Sequence, residues 1–253
     1  MRSQVRTLYR PIKIVTRAPG HEQRVTNMRI PLTRIQMLIG ERMLKSKQSK
    51  PCFYIESKAD ITKLMSLRSK LSKSLGVKIT TNAFYIRALA VAAKKYPLMV
   101  GKLDGEVAGN NIRIAEAVNV GFAVNAPQGL VVPVIRDADK KTLAEIARLE
   151  KLFTEKARSN KLTLEQMEAE TIALSNLGVY GIDSFVGIVP LPASTILAVG
   201  NVIKTVVPED GKITVRKMVS LTLAVDHRVV SETYAAQFLK FITKQLQDPQ
   251  KLV

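Results

Sequence analysis

A chain of 253 residues that is 46% hydrophobic holds enough apolar material for one sizeable core or two smaller ones, and its single cysteine, Cys52, excludes an internal disulfide or a cysteine-built metal cluster. The formal net charge of +18 suits anionic partners, but aromatics make up only 5% and tryptophan is absent, so base-stacking platforms have no material and a nucleic-acid function is not expected. No apolar run approaches the roughly 20 residues of a membrane helix and no signal-peptide core opens the chain, so the expected setting is soluble, intracellular and cytoplasmic, or the mitochondrial matrix in a eukaryote, with no membrane partner.

Residues 1–27 are basic and lack periodicity, which predicts a flexible leader or arm containing a solvated His21. One folded core is expected over residues 28–253. Thr33 is placed to cap a helix running through Lys47, and Pro51 breaks the chain before a strand over 52–59. Asp60 is placed to cap a helix that ends near Leu75 at Gly76, and a largely apolar helix follows over 82–95, closed by Pro97.

Between residues 103 and 136 the pattern changes to short β-type runs, at 117–125 and 130–135, with Asp104-Gly105 and Pro127-Gln128-Gly129 as turns. Thr142-Leu143-Ala144-Glu145 has the capping-box pattern for a helix to about Ser159, and Thr163-Leu164-Glu165-Gln166 opens a shorter one by the same logic. Strands are expected at 171–175, 195–207 and 213–225, and an amphipathic helix over 232–246. The strands are not evenly interleaved with crossover helices. That favours a layered α/β or α+β arrangement, a mixed sheet flanked by helices, over a barrel.

Several chemistries leave fingerprints that are missing. There is no Gly-rich dinucleotide loop, no phosphate loop ending in Gly-Lys-Ser/Thr and no Gly-x-Ser-x-Gly elbow, and two histidines cannot build an ordinary zinc site. No metal is expected. What stands out is His227, in Val225-Asp226-His227-Arg228, because an imidazole at a strand end takes and returns a proton near neutral pH. Ser175, in Leu174-Ser175-Asn176-Leu177-Gly178, places a hydroxyl at another strand end, where it can donate to a developing oxyanion. Each signal alone is weak, since Ser-Asn-x-Gly is a common turn and a lone histidine is commonly structural.

Together, and in order, the motifs Pro31-Leu32-Thr33-Arg34, Glu41-Arg42-Met43, Pro51-Cys52-Phe53-Tyr54, Gly129-Leu130-Val131-Val132-Pro133, Ala138-Asp139-Lys140-Lys141-Thr142, Ser175-Asn176-Leu177-Gly178 and Asp226-His227-Arg228 resemble a known catalytic core. It is that of the dihydrolipoamide acyltransferases, the E2 components of 2-oxo acid dehydrogenase complexes, and the likeness covers about residues 29–253. The resemblance implies a chloramphenicol acetyltransferase-like fold and trimers with an active site at each subunit boundary, stacked into a larger multimeric core. It implies transfer of an acyl group from a dihydrolipoyl arm to coenzyme A. His227 would take the thiol proton and Ser175 of the neighbouring subunit would bind the oxyanion, with Asp226, Arg228 and Asn176 in support. The implied partners are further copies of the chain, lipoyl domains, and the E1 and E3 components; no particular residue is assigned to coenzyme A. A lipoyl domain and a peripheral-subunit-binding domain are not found here, so the lipoyl group is expected on a separate domain or chain.

The family pattern His-x-x-x-Asp-Gly reads here as His227, Ser231 and Glu232. The resemblance implies that the aspartate braces the site through an arginine, so its loss is expected to leave Arg34 or Arg42 short of a carboxylate, with Glu232 the nearest substitute. The Gly-Gly that usually precedes the serine strand is Ala169-Glu170. These departures sustain an alternative expectation, a structural core subunit with weak or no transferase activity.

Overall fold

Thr33 opens α1 (Arg34–Ser49) through a closed capping box, its hydroxyl accepting from the Gln36 amide while the Gln36 side chain accepts from the Thr33 amide. The computed structural model describes residues 29–105 and 111–253, and the expected basic leader at 1–27, with His21, lies outside the described residues. After Pro51 comes β1 (Cys52–Asp60). Asp60 stays in the strand, and the residue at the cap of α2 (Thr62–Ser74) is Ile61. The Asp60 carboxylate still accepts from the Thr62 amide at 2.9 Å, so it satisfies a free donor of the first turn from one residue further out.

Thr80 caps α3 (Thr81–Lys95), the most deeply buried helix. Six short strands follow: β2 (Gly101–Leu103), β3 (Ile112–Ile114), β4 (Val120–Phe122), β5 (Val124–Ala126), β6 (Gly129–Val131) and β7 (Val134–Ile135). The run expected over 117–125 divides because the chain changes partners. The Phe122 amide donates to Pro133 and the Ala123 amide to Leu174, after which β5 pairs with β6 in a separate hairpin. Then come α4 (Leu143–Arg158), β8 (Ile172–Asn176), β9 (Thr195–Glu209), β10 (Lys212–Asp226) and α5 (Glu232–Gln247). The capping box at Thr163 opens only a 3-10 turn, Leu164–Met167, because the chain is already extended at Glu168.

The main sheet runs β1-β10-β9-β8-β4-β7. Its β1, β10 and β9 are antiparallel neighbours, β9, β8 and β4 are parallel, and β7 returns antiparallel, giving a mixed sheet. Helix α5 packs on β1 and β10, and α3 packs on α5, α4 and β4. Between them lies the core, where Leu221, Leu223 and Val225 meet Phe84, Leu89, Phe238 and Ile242. The strand period of two sends Ala173, Ile196 and Ala224 to the opposite face, which Val189 covers.

Candidate active site

β10 ends where Asp226 pairs with Cys52, and His227 is the first residue past it. Its amide donates to the Pro51 carbonyl at 3.0 Å, which fixes the backbone, and its ring stands edge-on to Phe53 with centroids 5.5 Å apart. Nδ1 lies 3.6 Å from Glu232 Oε1, and both side chains are more than half exposed, so this contact orients the ring more than it stabilises the fold. Asp226 is almost wholly buried. Its carboxylate accepts from Arg228 Nε at 3.0 Å, from the other guanidinium arm at 2.8 Å and from the Arg228 amide at 3.1 Å, so it secures the turn that carries His227 rather than the imidazole itself. Burial and the nearby Asp226 carboxylate push the Cys52 thiol up, away from a thiolate nucleophile.

Beneath this turn runs the segment of residues 189–194, pinned by one helix. The Ser46 hydroxyl donates to Val189, the Arg42 guanidinium to Leu191 at 2.9 Å, and the Lys50 ammonium to Pro190 at 3.1 Å and also to Ala193. The Asp226 amide then donates to Ser194 at 2.9 Å. Burial pushes the Lys50 ammonium down to about 8, with Asp226 acting in the opposite direction. Sequence reading picked out Arg42 and missed Ser46 and Lys50. Their signal was the four-residue spacing of 42, 46 and 50, which puts all three on one side of α1 and its end.

Ser231 occupies the cap position of α5 without making a side-chain cap bond. Arg34 is exposed in the first turn of α1 and takes no part in these contacts. Arg42, besides its bond to Leu191, faces the carboxyl of Glu170 rather than Glu232. Glu170 is 7% exposed and its Oε2 has no hydrogen-bond partner among the described residues; burial raises it to about 7, with Arg42 and Lys50 pulling the other way. Ala169 beside it has φ 67, a left-handed conformation that costs a non-glycine residue about 1–2 kcal/mol. At this position the family glycine has a physical reason, and this chain departs from it at a cost.

Ser175 sits half-buried in β8 opposite Ala198, and its hydroxyl makes no hydrogen bond among the described residues. The Asn176 carboxamide folds back, accepting from the Gly178 amide at 3.0 Å and donating to Asn82 at 3.4 Å. Two glycines let the following turn lie against β9: a Cβ on Gly178 would meet the Gly200 carbonyl at 2.2 Å, and one on Gly200 would meet the Asp183 carbonyl at 1.9 Å. Ala198 in turn faces Thr222 on β10, and His227 lies five residues beyond Thr222. At strand spacings of ~4.8 Å and ~3.3 Å per residue, Ser175 and His227 are about 10 Å apart across the sheet and about 16 Å apart along it. One chain does not bring them together.

An open cleft of about 680 Å³ adjoins the histidine turn, bounded by the end of α1, β2 and β3. Among the described residues, Lys45, Lys50, Lys102, Arg113 and Arg228 line it against Asp104 and Asp226. Its charge fits a polyanion.

Residues 25–253 match the family model described as 2-oxoacid dehydrogenases acyltransferase (catalytic domain). The chain is 34% identical over 94% of its length to the dihydrolipoyllysine-residue acetyltransferase component of the pyruvate dehydrogenase complex of Rickettsia bellii, and spans 56% of that protein. Among solved structures it is similar to the cubic core of the pyruvate dehydrogenase multienzyme complex, with TM-score 0.85 and 32% identity over 94% of this chain and 99% of the other. It is also similar to the dihydrolipoamide acetyltransferase of Azotobacter vinelandii, with TM-score 0.84 and 32% identity over 89% and 93% of the two chains. In that enzyme a serine, a histidine and an asparagine four residues beyond the histidine have been studied for their role in the catalytic mechanism.

Proposed function

Because this chain belongs to the 2-oxoacid dehydrogenase acyltransferase family and carries its catalytic domain, we propose that it moves an acyl group from an acyl-dihydrolipoyl arm to coenzyme A and builds the oligomeric core of a 2-oxo acid dehydrogenase complex. The observation that carries the reading is the separation of two prepared side chains. His227 is held by its backbone with its ring open to solvent, and Ser175, two strands away on β8, carries a hydroxyl with no hydrogen bond among the described residues. A trimer that joins unlike ends of neighbouring chains makes one site from both.

In that site His227 takes the proton of the coenzyme A thiol, and the sulfur attacks the thioester carbonyl. The oxygen that gains charge accepts a hydrogen bond from Ser175 of the adjacent chain. Collapse of the tetrahedral species expels the dihydrolipoyl sulfur, which takes the proton back from the imidazolium. The basic cleft beside Asp226 and Arg228 suits the phosphates of coenzyme A, and the lipoyl arm comes from a separate domain or chain, with the E1 and E3 components as further partners.

A second reading, a structural core subunit with weak activity, draws on Ser231 where the family pattern has aspartate and on the strained Ala169. The asparagine at the corresponding spacing in the Azotobacter vinelandii enzyme weakens it, since a carboxylate there is not general. Acylation of coenzyme A from acyl-dihydrolipoamide, compared between the protein and His227→Ala, separates the readings. Transfer that depends on His227 supports the enzyme, and equal background rates leave the structural subunit.

A further inference from the structure

We propose that Lys50 is a positioning residue for the acyl transfer, in which its buried ammonium ties the segment of residues 189–194 to the end of β10 and so sets where His227 sits. The inference rests on the acyl-transfer reading. Four short links close a ring around the histidine turn. Lys50 precedes Pro51, whose carbonyl accepts from the His227 amide. The Lys50 side chain reaches the carbonyls of Pro190 and Ala193, and the next carbonyl along, that of Ser194, accepts from the Asp226 amide. One residue therefore supports both hydrogen bonds that place the residues on either side of the peptide between Asp226 and His227.

The ring needs a long cationic side chain. Lys50 is 9% exposed, and a lysine at this depth is unusual unless its donors are occupied. An apolar side chain would leave two buried carbonyls without their donor, which costs more than the hydrogen bonds contributed. The charge matters as well as the reach. Asp226 and Arg228 face Lys50 from the end of β10, Cys52 from β1 and Glu170 from ahead of β8. Lys45, Lys102 and Arg113 stand around the same cleft, with Asp104 beside Arg113. Arg228 holds the Asp226 carboxylate by hydrogen bonds, and Lys50 adds a nearby positive charge that is lost on its discharge.

Burial lowers the lysine to about 8, so the ammonium is present at neutral pH and is lost as pH rises through that value. Turnover at saturating substrate should therefore carry an alkaline limb with a midpoint near 8. Lys50→Arg keeps a cation that does not discharge in proteins, so this limb should vanish. Lys50→Met should lower kcat about tenfold at saturating coenzyme A, a fall in turnover that the lost cleft charge does not produce and a misplaced base does. It should also speed hydrogen exchange at the Asp226 and His227 amides. An alkaline limb that persists unchanged in Lys50→Arg, or a folded Lys50→Met with the parent kcat and parent amide protection, overturns the proposal. Absence of transfer in the unmutated protein refutes the acyl-transfer reading instead, and leaves the amide exchange to decide whether Lys50 holds the turn.

Discussion

The surroundings of His227 and of Ser175 on the main sheet are built differently. Around His227, Arg42 and Ser46 come from α1, Lys50 from its C-cap, and Asp226 and Arg228 from one turn, and together they tie down the segment and the turn on which His227 sits. Around Ser175, the serine hydroxyl makes no hydrogen bond among the described residues, and the turn after it is held by backbone hydrogen bonds to β9, close glycine contacts and the Asn176 carboxamide. In the proposed mechanism the base needs a fixed direction, and its end of β10 is held rigidly within the chain. The proposed oxyanion donor acts on a substrate held by a neighbouring chain, and in this proposal that neighbour completes its surroundings.

The largest effect is expected at the rigid end. His227→Ala should lower transfer about 10²–10⁴-fold with the fold intact, as measured by kcat/KM together with sedimentation, since the ring is largely solvent-exposed. A loss of assembly would instead make the histidine structural. Ser175→Ala should cost about 10²–10³ in kcat with little change in KM, because an oxyanion donor acts in the transition state. A purely KM effect would move Ser175 to substrate binding.

The remaining effects concern stability. Glu170 is raised from 4.5 to about 7, so its folded-state preference for the neutral form helps fully below pH 4.5 and is lost as pH climbs through 7. Glu170→Gln should match the parent at pH 4 and exceed it in chemical-denaturation stability at pH 9, by up to about 3 kcal/mol. A gap that is the same at both pH values would mean that Glu170 is not neutralised by burial. Gly200→Ala should destabilise by about 1–3 kcal/mol, read as a lower Tm, because its Cβ would run into a backbone carbonyl that cannot swing aside. An unchanged Tm would show that the turn after Ser175 yields readily.

Much of this architecture was legible in the sequence where local chemistry decided it. The cap at Thr33, the capping box at Thr142, the break at Pro51 and the apolar alternation of 213–225 each act within a few residues, and each produced the element it predicts. The box at Thr163 did not extend beyond a 3-10 turn, because the chain beyond Met167 is directed by Ala169 and β8 rather than by the cap. Site residues divided in the same way. Motifs drew attention to His227, Ser175 and Arg42, but Lys50 is one of many lysines, and only the fold shows that it points inward to two carbonyls. Glu170 was visible only as a departure from Gly-Gly, and its pairing with Arg42 depends on the approach of α1 to the start of β8.

The claim that one site is made from two chains is tested most directly by co-expressing His227→Ala and Ser175→Ala at equal levels and measuring transfer in the mixed assemblies. If His227 of one chain serves Ser175 of its neighbour, random mixing gives an intact pair at about a quarter of the boundaries, and about a quarter of the parent activity returns. If mixed assemblies form and are as inactive as either variant alone, the two side chains do not share a site across chains, and the account is wrong.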